Sequence, residues 1–253
     1  MTQTSKSSIP IILLEDYVAQ GMDIYYPWEP QLAPHVAIIG GTGSGKSYFA
    51  TTLLGKICKH LPDAELHVAD FKGDDNFLFL EGSKNFYRFQ DCYRGVDEFY
   101  QRFQERQNGT DKARTPLFLF FDELASAVIF LSKKESEEFK NKIATLLMLG
   151  RSFSVFLIIA MQRPDANHLP ARDNINLVIA LGNLSKEAQD MFFHNFKNEM
   201  SADRKRGSGY MLECGICLYK VISPTVRNPE KLQEVIRNTL NKPKQRSETE
   251  LLC

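Results

Sequence analysis

The sequence predicts an α/β protein with a mostly parallel sheet and helices on both faces. Apolar segments of strand length alternate with amphipathic helical segments through most of the chain. One apolar segment runs directly into the glycine-rich loop GGTGSGKS (40–47), which a helical pattern follows. Another, PLFLFFDE (116–123), ends in two acidic residues. Ligands bind at the carboxyl edge of open parallel sheets, so this order places a binding site there.

The predicted strands are short, continuous apolar runs, which is the pattern of strands buried on both faces. HVAIIG is the first, and PLFLFFDE is the strongest because it has no interrupting polar residue before its acidic end. The predicted strands lie at 35–40, 64–71, 85–90, 116–123, 154–162 and 174–182, and GYMLE with CLYKVI predicts a closing hairpin.

The predicted helices show apolar residues at helical spacing between these strands. The first runs from Lys46 to about His60, with Phe49, Leu53 and Ile57 on one face. The others are GVDEFYQRFQERQ, a stretch that ends at Gly150 and is interrupted at LSKKES (131–136), KEAQDMFFHNF, and a last helix at 229–241.

The chain divides in this interpretation into one main domain and two terminal extensions. Residues 1–32 form an N-terminal lead-in, because the prolines of YYPWEPQLAPH favour an extended connector over a helix. Residues 33–225 form the α/β domain. Residues 226–253 supply the last helix and a polar tail that we expect to be disordered.

Composition excludes several classes of protein. The 31 basic and 31 acidic residues give a net charge of zero, so contact with a polyanion must be local, unlike that of a protein that coats nucleic acid. No apolar run approaches the ~20 residues that span a bilayer. The N-terminal segment MTQTSKSSIPIILLEDY lacks a cleavage site, so it does not read as a signal peptide. We therefore expect a cytoplasmic protein.

The five cysteines are odd in number and scattered, which favours reduced thiols over a disulfide framework. Cys214 and Cys217 form a C-x-x-C pair without a second pair of ligands nearby. Since a zinc site needs four ligands, we favour positions in a strand or hairpin over a metal site.

The GGTGSGKS segment fits the phosphate-binding pattern G-x-x-x-x-G-K-[ST] in full, between a predicted strand and a predicted helix. Glycines let backbone N–H groups surround phosphates, and the helix N-terminus adds positive potential. Lys46 is expected to reach the β- and γ-phosphates of ATP, and Ser47 to bind Mg²⁺. The loop residues are Gly40, Gly41, Thr42, Gly43, Ser44, Gly45, Lys46 and Ser47.

Two carboxylates and one amide complete the predicted catalytic set. Asp122 is expected to hold Mg²⁺ through water, and Glu123 to deprotonate the water that attacks the γ-phosphate. The alternative for Glu123 is a helix N-terminal residue favoured by the helix dipole. Gln162 ends the strand SVFLIIAMQ and is expected to contact the γ-phosphate or the attacking water.

Four segments together resemble the motor domain of FtsK/SpoIIIE-type DNA translocases, in the family's order and spacing: LAPHVAIIGGTGSGKS, LFLFFDELAS, GRSFSVFLIIAMQRPDA and GSGYML. The resemblance covers about residues 30 to 225. It implies a RecA-like P-loop ATPase that assembles as a homo-hexamer and moves double-stranded DNA through its channel. Related members are coupling ATPases of conjugative elements, which work with a membrane-bound or relaxase partner.

The resemblance also implies contacts with DNA and between subunits. LSKKES and the loop from Pro164 to Asp173 lie where the family has channel loops, so Lys133, Lys134, Arg163 and Arg172 are candidate DNA contacts. A solvated helix face is the alternative for the two lysines. Ring ATPases often supply an arginine to the neighbouring site. The candidates are Arg102, Arg106 and Arg151, and a surface salt bridge is the alternative for each.

The chain stops soon after the closing helix and has no DNA-reading module, which favours transfer of a mobile element over chromosome segregation. An ATPase for protein secretion, a viral-type packaging motor and a nucleotide-binding adaptor are the alternatives. Intact Glu123 and Gln162 argue against an adaptor without turnover.

Overall fold

Ten strands form one mixed sheet in the computed structural model, which describes residues 8–112 and 114–242. The strands are β1 (Ile9–Leu14), β2 (Tyr25–Trp28), β3 (Val36–Ile39), β4 (Glu65–Asp70), β5 (Phe86–Arg88), β6 (Leu117–Asp122), β7 (Val155–Met161), β8 (Leu177–Leu181), β9 (Ser208–Glu213) and β10 (Cys217–Ile222). Their order across the sheet is β2-β1-β10-β9-β8-β3-β7-β6-β4-β5. The strands from β8 to β5 in this order are parallel, and the other four are antiparallel to their neighbours. The predicted α/β class with a mostly parallel sheet is confirmed.

The helices cover both faces of the sheet, as predicted. They are α1 (Glu15–Val18), α2 (Lys46–His60), α3 (Asp91–Gln107), α4 (Leu124–Ile129), α5 (Lys133–Leu149), α6 (Lys186–Phe192) and α7 (Pro229–Leu240). Side chains alternate between two apolar cores, because successive residues of a strand point to opposite faces. Within β3, Val36 and Ile38 enter the core under α2 and α7, whereas Ala37 and Ile39 enter the core under α3 and α5.

The position of β7 determines how the candidate site is assembled. It lies between β3, which leads into the glycine-rich loop, and β6, which ends at Asp122. All three strands are parallel, so their carboxyl ends meet at one edge of the sheet. The residue that follows β7, Gln162, is therefore placed between the loop and the acidic pair.

The N-terminal lead-in, predicted as an extension outside the main domain, contributes two strands to the sheet. β1 pairs with β10 and with β2, so residues 9–28 belong to the main sheet. Ile11, Ile12 and Trp28 are fully buried in the same core as β3. The prolines did direct the chain away from a helix, but Pro10 and Pro27 are tolerated here inside strands. The C-terminal helix α7 also packs against α2 and buries Ile236.

The interruption at 131–136 is shorter than predicted. Only residues 130–132 separate α4 from α5, and 133–136 form the first turn of α5. Ser132 and Glu135 form a capping box that starts this helix. The sequence S-K-K-E contains that signal, which the prediction of a loop overlooked.

Cys214 lies in the turn of the β9–β10 hairpin and Cys217 begins β10, as the hairpin interpretation predicted. Within the described ranges, no group of three metal-ligating side chains could hold an ion by itself. No helix in the described part of the chain is long and apolar enough to cross a membrane. The predicted polar tail beyond residue 242 lies outside the described residues.

Candidate nucleotide-binding and catalytic site

The glycine-rich loop joins the end of β3 to the start of α2, as predicted. Gly43 and Gly45 have φ angles of 80° and 96°, a region that side chains with a Cβ rarely adopt. Gly40 permits a close approach, since a Cβ there would lie 2.3 Å from Ser44 Oγ. Gly41, Thr42 and Gly43 are exposed at the turn, where their backbone can face a ligand. The first N–H groups of α2 have no partner within the helix, so they are available to an anion.

The residues at the start of β9 contact the glycine-rich loop. Gly207 donates its backbone N–H to the carbonyl of Ser44 at 2.8 Å. A Cβ on Gly45 would lie 3.2 Å from the same nitrogen of Gly207, so a side chain at Gly45 would crowd this contact. Two residues further, a Cβ on Gly209 would clash with the carbonyl of Ala180 on β8. The GSG of GSGYML thus holds β9 against the phosphate loop.

Lys46 is buried at the base of the loop and faces both acidic residues. Its Nζ donates to Asp122 Oδ1 at 3.0 Å and lies 3.8 Å from Glu123 Oε2. All three side chains are buried, with exposures of 5%, 1% and 8%. Lys46, Asp122 and Glu123, which the sequence prediction assigned to one site, therefore lie next to one another in the fold.

Burial raises the pKa of the Asp122 carboxyl and that of Glu123, while the charge of Lys46 works in the opposite direction. A raised pKa makes Glu123 a stronger base than an exposed carboxylate, which suits abstraction of a proton from water. Within the described ranges, Asp122 Oδ2 and Glu123 Oε2 are buried without a hydrogen-bond partner. Orphaned buried oxygens are costly and point to a role in binding or catalysis.

The side chain of Glu123 and the backbone of Gln162 are joined by a hydrogen bond. Glu123 directly precedes α4, as its N-cap, with φ 63° and ψ 51°, a left-handed conformation that is strained in a residue other than glycine. Its Oε1 accepts the backbone N–H of Gln162 at 3.4 Å. The side chain of Gln162 accepts a hydrogen bond from Thr42 Oγ1 of the loop, also at 3.4 Å. Gln162 therefore bridges the glycine-rich loop and the carboxylate of Glu123.

The loop after β4 adds residues that the sequence prediction missed. Ser47 Oγ donates to Asp74 Oδ2 at 2.9 Å, and Lys72 Nζ lies 4.0 Å from the same oxygen. Asp70, at the end of β4, accepts the backbone N–H groups of Gly73 and Asp74. The signal was available in ADFKGDD, since charged residues that directly follow a buried parallel strand lie at the ligand-binding edge.

A cleft of about 1210 Å³ opens beside Glu123 and Gln162. One wall is the loop after Gln162, with Arg163 exposed and Arg172 half-buried. Lys72 and Ile129 of α4 also line the cleft. The cleft thus joins the predicted catalytic residues to two of the predicted DNA contacts.

The other two candidate DNA contacts, Lys133 and Lys134, are exposed in the first turn of α5. Lys134 lies 4.0 Å from Glu138, one turn further along the helix. The pair is therefore presented by a helix start and not by a flexible loop.

The arginine candidates for a neighbouring subunit separate into two groups. Arg102 and Arg106 are buried, and both form ion pairs with Asp111. Arg106 also donates to the backbone carbonyls of Phe153 and Ser154. These contacts hold α3 against the sheet and keep both guanidinium groups away from the surface. Arg151 is exposed.

The residues fit a nucleotide with its metal ion. Glycines leave room for phosphates around the backbone, Lys46 supplies a cation at the base of the loop, and Asp122 retains a buried oxygen without a hydrogen-bond partner among the described residues. Mg²⁺ prefers oxygen ligands and is usually shared with substrate phosphates, which suits the hydroxyl of Ser47 and the carboxylate of Asp122.

Comparison with known proteins agrees with the geometry. The family described as "Helicase HerA, central domain" matches residues 20–91, which include the whole glycine-rich loop. The Ftsk domain-containing protein YdcQ of Bacillus subtilis (strain 168) is 29% identical over 250 residues, covering 90% of this chain. The chain therefore contains a HerA/FtsK-like P-loop ATPase domain.

Solved structures support the fold of this ATPase. The cytoplasmic domain of the type VII secretion ATPase EccC from Thermomonospora curvata superposes on 98% of the chain with a TM-score of 0.67 and 22% identity, over 32% of its own length. The conjugation coupling protein TcpA of pCW3 superposes on 92% with a TM-score of 0.65 and 18% identity, over 71% of its length.

The ESX-4 secretion protein EccC4 of Mycobacterium tuberculosis (strain ATCC 25618 / H37Rv) is 27% identical over 67% of the chain. The chain spans 52% of the length of YdcQ and 16% of that of EccC4. The similarity to these relatives therefore concerns the ATPase domain.

Proposed function

We propose that this HerA/FtsK-type ATPase hydrolyses ATP with Mg²⁺ to move double-stranded DNA, in the transfer of a conjugative or mobile element. The proposal rests on one observation: Arg163 directly follows Gln162 in the chain. Gln162 bridges the phosphate loop and Glu123, and the next residue is an exposed cation in the adjoining cleft. A change at the γ-phosphate would therefore pass directly to a cationic loop.

Each residue of the site has a role in this proposal. Lys46 binds the β- and γ-phosphates, and its pairing with Asp122 gives way to the phosphate charge. Ser47 and Asp122 would hold Mg²⁺, which would offset charge that develops on the transferred phosphoryl group. Glu123 takes the proton from the attacking water, while Gln162 contacts the γ-phosphate.

The proposed assembly is a homo-hexamer in the cytoplasm, bound to a relaxase or a membrane protein. The cations Arg163, Arg172, Lys133 and Lys134 would contact DNA phosphates locally, in agreement with a net charge of zero. The similarity to the FtsK domain-containing protein YdcQ and to the fold of the conjugation coupling protein TcpA supports this choice.

The test is the ATPase rate with and without long double-stranded DNA. We expect strong stimulation that falls as salt rises. Glu123→Gln should abolish turnover while ATP still binds, with Glu187→Gln as the control because this exposed carboxylate lines the same cleft. Absence of stimulation at every DNA length and salt concentration contradicts translocation, and turnover in Glu123→Gln contradicts the catalytic assignment.

Protein secretion is the second candidate, because several similar proteins are ESX secretion system proteins, with 27% to 30% identity to this chain. A secretion ATPase would be stimulated by a substrate protein and not by DNA. The ATPase assay with DNA therefore separates the two functions. A packaging motor would also respond to DNA, and an adaptor would show no turnover in either assay.

A further inference from the structure

Asp74 is attached to the predicted metal ligand Ser47 in a way that fixes the direction of the hydrogen bond. A carboxylate has only acceptor oxygens, so the Ser47 hydroxyl must donate its proton to Asp74 Oδ2, at 2.9 Å. The lone pairs of Ser47 Oγ then remain free for another ligand. An oxygen with its proton directed away is the form that coordinates a cation.

The carboxylate of Asp74 is held in this position from its other side. Asp74 Oδ1 accepts the backbone N–H of Asn76 at 2.9 Å and so caps the short helical segment Asp75–Leu80. The backbone N–H of Asp74 itself donates to Asp70 Oδ1 at 3.0 Å. The two carboxylate oxygens of Asp74 therefore have separate partners, one structural and one at Ser47.

A second, independent observation lies across the site. Asp122 is 1% exposed, and its Oδ2 has no hydrogen-bond partner within the described ranges, while its Oδ1 is occupied by Lys46. The negative charge of Asp74 also acts on Asp122. Asp122 is thus committed to Lys46 on one side, and Asp74 alone accepts the Ser47 proton.

We propose that Asp74 is a positioning residue for the Mg²⁺ of the nucleotide: it orients Ser47 Oγ and adds negative charge beside the ion. This inference rests on the proposed ATP and Mg²⁺ site. Partners that orient metal ligands contribute about 10- to 100-fold to metal affinity. The effect should therefore appear in the metal dependence of nucleotide binding.

The test variant is Asp74→Asn. Asparagine caps helices as well as aspartate does, so the segment after it keeps its start. With its oxygen on Asn76, the amide turns an NH₂ group towards Ser47, which removes the acceptor and occupies a lone pair of the hydroxyl. Asp75→Asn is the matched control, because it removes the same charge from the exposed neighbouring residue.

The measurement is the Kd of a non-hydrolysable ATP analogue in Mg²⁺ and in EDTA. In the wild type and in Asp75→Asn, Mg²⁺ should tighten binding strongly. In Asp74→Asn, that gain should fall by about 10-fold or more, with little change in EDTA. The double variant Ser47→Ala/Asp74→Asn should lose no more than Ser47→Ala alone. If Asp74→Asn fails to fold, Asp74→Ser keeps a capping oxygen without the charge.

The outcomes separate the inference from the function on which it rests. A Mg²⁺ gain in Asp74→Asn equal to that of the wild type overturns the role of Asp74 and leaves the nucleotide site intact. A wild-type protein that binds the analogue equally with and without Mg²⁺ overturns both. Additive losses in the double variant also overturn the link through Ser47.

Discussion

Asp70 is a fully buried carboxylate whose bonds place the loop that carries Lys72 and Asp74. Burial raises its pKa from 3.8 to about 6, with the charge of Asp122 adding to the effect, while hydrogen bonds from the loop backbone and Arg88 oppose it. The native state therefore binds a proton more tightly than the unfolded chain does. Stability is then lost as pH rises from about 4 to about 6, and stays lower above that range.

Asp70→Asn should remove this pH dependence, because an amide does not ionise. A pKa difference of about two corresponds to about 3 kcal/mol at most, so the free energy of unfolding of the variant should gain up to that amount relative to the wild type between pH 4 and pH 7. Urea unfolding at both pH values measures it. Asp63→Asn, at an exposed position, is the control. Its free energy of unfolding should change with pH in the same way as that of the wild type. If the free energy of unfolding of Asp70→Asn changes with pH as that of the wild type does, the raised pKa of Asp70 is contradicted.

At the scale of single residues, the sequence predicted the phosphate loop, Asp122, Glu123 and Gln162 at the same edge of the sheet. It could do so because each follows a buried strand or starts a helix. The contact of Asp74 with Ser47 was not predictable in this way, since the loop after β4 must fold back past β6 to reach α2. Nor did sequence show that Arg102 is buried, because its partners Glu65 and Asp111 come from different segments.

At the scale of elements, the start of α5 carries two lysines where a helix disfavours them. The N-terminal end of a helix has positive potential, so cations there cost helix stability. Lys133 and Lys134 are exposed at this end. This placement agrees with the proposed contact of the two lysines with an external anion.

Lys133→Ala/Lys134→Ala should weaken DNA binding without lowering the stability of the protein. Loss of two phosphate contacts should reduce the slope of log K against log salt by about 1.8. Lys140→Ala/Lys142→Ala is the control on the same helix, since these lysines pair with Glu137 and Asp97. Binding of duplex DNA across a salt series measures the slope. An unchanged slope in Lys133→Ala/Lys134→Ala contradicts the DNA contact and favours the alternative that the two lysines belong to a solvated helix face.

Element boundaries were predicted well where an apolar run ends in a polar or glycine-rich turn, as at β3, β6 and β7. They were missed where the signal was local capping, as at Ser132, or where pairing is long-range. The segment IPIILL was too short to assign from its own residues, and it becomes a strand because β10 and β2 supply partners on both sides.

At the scale of the whole molecule, the sheet places Arg151 at the edge opposite the phosphate loop. Arg151 precedes β7, whereas Gln162 follows it, and β7 is parallel to β3. Arg151 therefore lies at the amino end of the parallel strands, away from the nucleotide site of its own chain, and its side chain is exposed. Arg102 and Arg106 lack this freedom because they are buried in ion pairs.

Mixing two inactive variants tests whether Arg151 acts on a neighbour. Arg151→Ala should keep nucleotide affinity but lose turnover by about 10³-fold or more if it supplies transition-state charge. Lys46→Ala has a disabled site but still carries Arg151. Mixed assemblies then contain intact sites beside intact arginines, so DNA-stimulated ATPase activity should reappear above the sum of the separate variants. Arg227→Ala, at another exposed arginine, is the control and should remain active alone. A mixture no more active than its parts, when wild-type and Lys46→Ala subunits demonstrably exchange, contradicts action in trans.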